Sequence, residues 1–66
     1  MRAHLIVRPA GGQWRGDLHR LGGGGELLGR GPVCATPEGA RRFATLHATS
    51  LRHEVELVTV DRAAAR

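Results

Sequence analysis

Apolar residues recur in this chain with two different periods, and the change of period marks the elements. His4-Leu5-Ile6-Val7-Arg8 is a short β-rich run, punctuated by the turn residues Pro9-Ala10-Gly11-Gly12. In Gln13-Trp14-Arg15-Gly16-Asp17-Leu18-His19-Arg20 the even positions place Trp14, Gly16 and Leu18 on one face. Gln13, Arg15, Asp17 and His19 fall on the other. Two such strands around a glycine-rich turn predict an antiparallel hairpin. The four glycines Gly22 to Gly25 predict a loop, and Glu26-Leu27-Leu28-Gly29-Arg30 a short third strand ending at Gly31-Pro32.

The period then lengthens. Thr36 can cap a helix, Pro37 suits its first position, where a missing N–H costs nothing, and Glu38 meets the positive end of the dipole. Ala40, Phe43, Ala44, His47 and Leu51 recur at helical spacing, which predicts that they line one face. Gly39 weakens the first turn, and Thr49-Ser50 should fray the last. Beyond Leu51-Arg52-His53, the run Glu54-Val55-Glu56-Leu57-Val58-Thr59-Val60 alternates at its start and is rich in β-branched residues, so it predicts a fourth strand. Asp61 to Arg66 reads as a frayed tail.

The predicted fold is therefore α+β, a small antiparallel sheet with one helix packed on one face, in the order β-β-β-α-β. Laying the helix across the sheet hides the apolar stripe of each. A chain of 66 residues forms one domain, 1–66, with an ordered core of about 4–60. The expected core is Leu5, Val7, Trp14, Leu18, Phe43 and Leu57. Gly16, inside a strand, suggests a bulge or a close approach of the helix. A core this small leaves a thin margin, and a second copy would add to it.

Gly12-Gln13-Trp14, Thr36-Pro37-Glu38-Gly39-Ala40-Arg41-Arg42-Phe43 and the closing Val55 to Val60 carry a resemblance. Over roughly residues 4–60 the chain resembles short bacterial families of unknown function that pair a Gly-x-Trp hairpin strand with a Thr-x-x-x-Ala helix. The resemblance implies the same element order and no catalytic residue. The layout is also similar to the three-stranded, one-helix arm-binding domains of phage integrases, which read DNA from the sheet. That likeness implies a basic face of Arg8, Arg15 and Arg20, although the Gly22 to Gly25 loop departs from their tight turn.

Charge adds a direction to this picture. All ten basic residues are arginine, against six acidic side chains, for a formal charge of +4. Arg2, Arg8, Arg15 and Arg20 face only Asp17 in residues 1–25, whereas Glu54, Glu56 and Asp61 outnumber Arg62 and Arg66 at the other end. An excess of this size draws a protein towards polyanions and equally keeps it soluble. A single cysteine, Cys34, excludes an internal disulfide and favours a reducing, cytoplasmic setting. The opening residues form no signal-peptide core, and no stretch approaches the roughly 18 to 20 apolar residues of a membrane span. No membrane partner is expected.

No motif specifies catalysis. His4, His19, His47, His53 and Cys34 form no ligand pair at metal spacing, so no metal and no cofactor are expected. His47 reads as a helix-face residue, His53 as a helix-terminal one, and Cys34 as a small filler below the loop, since nothing in sequence places a base beside it. Gly22 to Gly25 leads into Glu26-Leu27 rather than Gly-Lys-Ser/Thr, which excludes a phosphate loop. Glu54 and Glu56 share a strand face as solvent-side residues, not as a catalytic pair. The chain offers little room for a small-molecule pocket.

What remains is binding. The open sheet face predicts a non-catalytic interaction module with a protein partner or a second copy of itself. The alternative is weak nucleic-acid binding through Arg8, Arg15, Arg20 and Arg30, with Arg41 and Arg42 as a separate patch on the helix. Asp17 in the hairpin row dilutes that potential, and Trp14 and Phe43 are needed in the core rather than for stacking bases. A structural or accessory role is the third expectation.

Overall fold

The computed structural model describes residues 1–61. Its elements are β1 (Arg2–Ala10), β2 (Gln13–Arg20), β3 (Leu27–Arg30), α1 (Pro37–Ser50) and β4 (Glu54–Val60). The order β-β-β-α-β is the predicted one, and the strands lie side by side as β3-β2-β1-β4 with α1 across one face.

Gly11 and Gly12 make the hairpin turn, with φ of 59° and 81°. Both central residues of a two-residue loop take positive φ where the turn follows the twist of its strands, which glycine does without strain. The turn pins Ala10 opposite Gln13 and so sets every pair down to Ala3 opposite Arg20. β1 is longer than its apolar run and carries Pro9 and Ala10 within it.

The sheet is mixed rather than wholly antiparallel, because β4 runs parallel to β1. Two reversals bring β3 back to the direction of β1, and a helical crossover then delivers the next strand in that same direction. The backbone continues past Val60, with Asp61 N–H donating to Val7 C=O at 2.8 Å. The sheet thus reaches one residue into the expected tail; Arg62 to Arg66 lie outside the described residues.

The helix is capped as its sequence requires. Thr36 Oγ1 accepts from Gly39 N–H at 3.1 Å and Pro37 opens the first turn. At the other end the helix persists through Thr49 and Ser50 instead of fraying. His53 N–H then reaches Ala48 C=O at 2.8 Å, and Arg52 N–H reaches Thr49 C=O at 3.0 Å. That pair of bonds is the Schellman closure, and it puts Arg52 at φ 61°, where glycine is the usual occupant.

The core lies between α1 and the covered face of the sheet. Leu5, Val7 and Leu18 are fully buried there with Ala3, Ala40, Ala44 and Ala48. Trp14, expected in the core, packs against this cluster half-buried. A Cβ on Gly16 would stand 2.5 Å from Ala44 Cβ and 3.0 Å from Ala40 O, and one on Gly31 would stand 3.3 Å from Ala44 Cα. The close approach suspected at Gly16 is therefore real, and it brings the helix down on its alanines.

Two expected core residues are not in the core. Phe43 is 50% exposed, because the contact line is Ala40-Ala44-Ala48 and Phe43 stands about 100° round the axis from Ala44. Leu57 is 47% exposed. In the β1–β4 pairing Ala3 faces Val55 but His4 faces Leu57, so Glu56 is an extra residue and the alternation resets there. After this bulge Val58 and Val60 turn to the helix, and Leu57 and Thr59 turn to the open face.

Candidate functional site

The open face reads as rows across the strands, since paired residues share a side. Arg30, Asp17, Ile6 and Thr59 form one row; Leu27, His19, His4 and Leu57 form the next towards the glycine loop. On the other side Arg15 lies directly opposite Arg8. Two like charges in cross-strand contact repel. Something must hold them.

Asp17 does so. Its side chain is only 5% exposed although no helix covers that face. Arg8 Nη1 donates to Asp17 Oδ2 at 2.9 Å, and Arg15 Nε lies 3.2 Å from Oδ1. The second contact lacks the alignment of a hydrogen bond, so Arg15 Nε and Asp17 Oδ1 attract as charges with their directional bond unmade. The arginines bury the carboxylate by folding over it.

The same nitrogen of Arg8 lies 3.2 Å from His19 Nε2. A guanidinium only donates, so Nε2 must accept, and Nδ1–H is left to donate to Gly25 C=O at 2.9 Å. Arg8 is thereby held at Asp17 and at His19, and His19 ties the hairpin to the glycine loop. On the far side of β1, His4 Nε2 and Thr59 Oγ1 are 2.8 Å apart.

The sequence-predicted basic residues divide into three places. Arg8, Arg15 and Arg30 lie on the open face, the first two on Asp17 and Arg30 opposite it in register. Arg20 does not join them: its pairing with the buried Ala3 sets it on the helix side of the sheet, where Nη1 meets Glu26 Oε2 at 3.4 Å. Arg41 and Arg42 are exposed on the outer side of α1, where with Glu38, Thr45 and Leu46 they line a shallow depression of about 340 Å³. Arg2 pairs with Glu56 at 3.4 Å.

The remaining candidates are structural in placement. Cys34 is partly buried against the core, its backbone exchanging two hydrogen bonds with Trp14 at 2.7 and 2.8 Å. His47 covers Gly29, with Nε2 3.2 Å from where a Cβ would stand. His53 closes the helix end. Among the described residues no three His, Cys, Asp or Glu side chains are grouped to hold a metal ion, and no helix is long and apolar enough to cross a membrane.

The feature that sequence reasoning undervalued is Asp17. It reads along β2 as a charge diluting a basic row, whereas Arg8 reaches it from the neighbouring strand. The signal lay in the register, which the Gly11-Gly12 turn sets. No protein-family model, curated protein or solved structure matches the chain.

Proposed function

We propose that this chain is a non-catalytic docking module, acting in the cytoplasm, that engages a protein partner through the open face of its sheet. The observation that carries this reading is the make-up of that face. It sets Ile6 beside the guanidiniums that Asp17 holds and the half-exposed Leu57 in the next row, with no element among the described residues folded over them. Apolar contact area next to pre-organised arginine is the composition that protein interfaces favour.

A second copy is the weaker candidate for partner. A symmetric contact centred on this face would set the Arg8, Arg15 and Arg30 cluster against its own image, and opposed like charges penalise association. Nucleic acid is also weaker. Trp14 lies on the covered side and Phe43 on the helix, so among the described residues the face offers a base only the imidazoles of His4 and His19, which are already tied to Thr59 and to Arg8 and Gly25.

The test is site-specific photocrosslinking in cells, with the reactive side chain at Leu57 on the face or at Arg42 on the outer side of the helix. Discrete protein adducts should form from position 57 and not from position 42. Adducts from position 42 alone would overturn the proposal. So would duplex DNA binding abolished by Arg30→Gln and falling steeply between about 50 and 200 mM salt, which would install the nucleic-acid reading instead.

A further inference from the structure

We propose that Arg8, Arg15 and Arg30 form a binding subsite for a carboxylate, supplied by an aspartate or glutamate on an extended segment of the partner. This inference rests on the docking reading above and names the chemistry of the partner.

Three neighbouring strands each contribute one arginine to the same patch of the open face. Arg8 comes from β1, Arg15 opposite it from β2, and Arg30 from β3, where it is the cross-strand partner of Asp17. Three positive charges against the one carboxylate leave the cluster at about +2, since Arg30 makes no ion pair within 4 Å among the described residues. Asp61, which follows β4 on the far side of β1, makes none with Arg8 either.

The donors are only partly spent. A guanidinium carries five N–H groups. Arg8 commits Nη1 to Asp17 and His19, and Arg15 turns Nε to Asp17; their side chains are still 39% and 32% exposed, and Arg30 is exposed. Asp17 therefore acts as an internal template. It fixes two guanidiniums on one side while both side chains keep part of their surface exposed. Side chains already held in place lose little entropy when a ligand arrives.

The anion this site already fits is a carboxylate, since Arg8 and Arg15 hold that of Asp17 between them. Guanidinium forks also take phosphate, but sites for tetrahedral oxoanions commonly add backbone N–H groups at helix N-termini or in nests. A sheet face has none to give, because its N–H groups lie sideways in the ladder. What is left is side-chain forks on a flat surface, and a planar carboxylate matches the guanidinium fork edge to edge. Ile6, directly opposite Asp17, provides an apolar neighbour for the stem that carries it.

The experiment is an NMR titration of the full chain, labelled at arginine, with glutarate and separately with sulfate at constant pH and ionic strength. Glutarate should shift the guanidinium signals of Arg8 and Arg30 along a saturable curve, while those of Arg41 and Arg42 follow only bulk screening. Arg30→Gln, an exposed change that leaves the Asp17 pairs intact, should weaken glutarate about two- to fivefold. Equal responses at Arg30 and Arg42, no response at the cluster, or saturation by sulfate and not by glutarate would each overturn the assignment. The two proposals fail separately. Glutarate binding at the cluster without adducts from position 57 removes the docking reading alone, and adducts that form as well with Arg30→Gln remove the carboxylate subsite alone.

Discussion

On the covered side of the sheet, Gly16 faces Ala44 so closely that it has no room for a side chain and Gly31 has little, whereas on the open side the strands carry Arg8, Arg15 and Arg30. Gly16 and Asp17 are neighbours in β2 and both are buried, for opposite reasons. The helix buries Gly16 by descending on it. The arginines bury Asp17 by closing over it. One side is held by contact between small groups, which salt does not screen, and the other by charge, which it does. The two faces should therefore fail differently.

The largest effect is expected on the covered face. Gly16→Ala places a Cβ against Ala44 Cβ and the Ala40 carbonyl, and the latter is helix backbone that cannot turn aside. Lifting the helix loosens its contacts with Leu5 and Leu18, so the loss should reach about 3 kcal/mol, the upper part of the range for overpacking. Urea denaturation should show it, with the same loss at low and high salt. A variant within about 0.5 kcal/mol of the parent would mean that the helix does not sit this close.

Asp17→Ala comes next and should behave otherwise. It removes the counter-charge from two opposed arginines, which are partly exposed, so the cost is nearer about 2 kcal/mol than that of breaking a fully buried pair. The variant should gain stability as salt screens Arg8 from Arg15, whereas the parent should lose a little as salt screens the pairs. A salt response of the same sign in both proteins would show that Asp17 is not the template of the cluster.

This contrast also explains how far the sequence could be read. The element order, the cap at Thr36, the Gly11-Gly12 turn and the approach at Gly16 are local, and each is written in a few adjacent residues. The misplacements all depend on two elements at once. Phe43 shares the helical spacing of Ala40 and Ala44, yet Gly16 and Gly31 lie across from Ala44 and let the helix contact the sheet through Ala40, Ala44 and Ala48. Leu57 was assigned by counting along β4, and a bulge at Glu56 exists only relative to β1. Arg20 was grouped with Arg8 by charge, although its even position in β2 sets it with Leu18. The parallel course of β4 follows from the helix crossing, which periodicity does not show. The arginines of the site are legible only within a wider basic set that includes Arg20; that Asp17 organises Arg8 and Arg15 requires the register.

The smallest effects test that reset on β4, and they invert what size alone would suggest. Leu57 is the larger side chain, but it lies 47% exposed on the open face, whereas Val58 packs half-buried against the core. Val58→Ala should cost about 1 kcal/mol, a fraction of what full burial of a branched side chain is worth. Leu57→Ala should cost less than about 0.5 kcal/mol, and Phe43→Ser a similar amount, because neither leaves a cavity in the core. Denaturation midpoints of the three variants in one buffer decide the matter. If Leu57→Ala proved the most damaging, the strand would alternate without a bulge, Leu57 would belong under the helix, and the open face would lose the apolar residue on which its docking role depends.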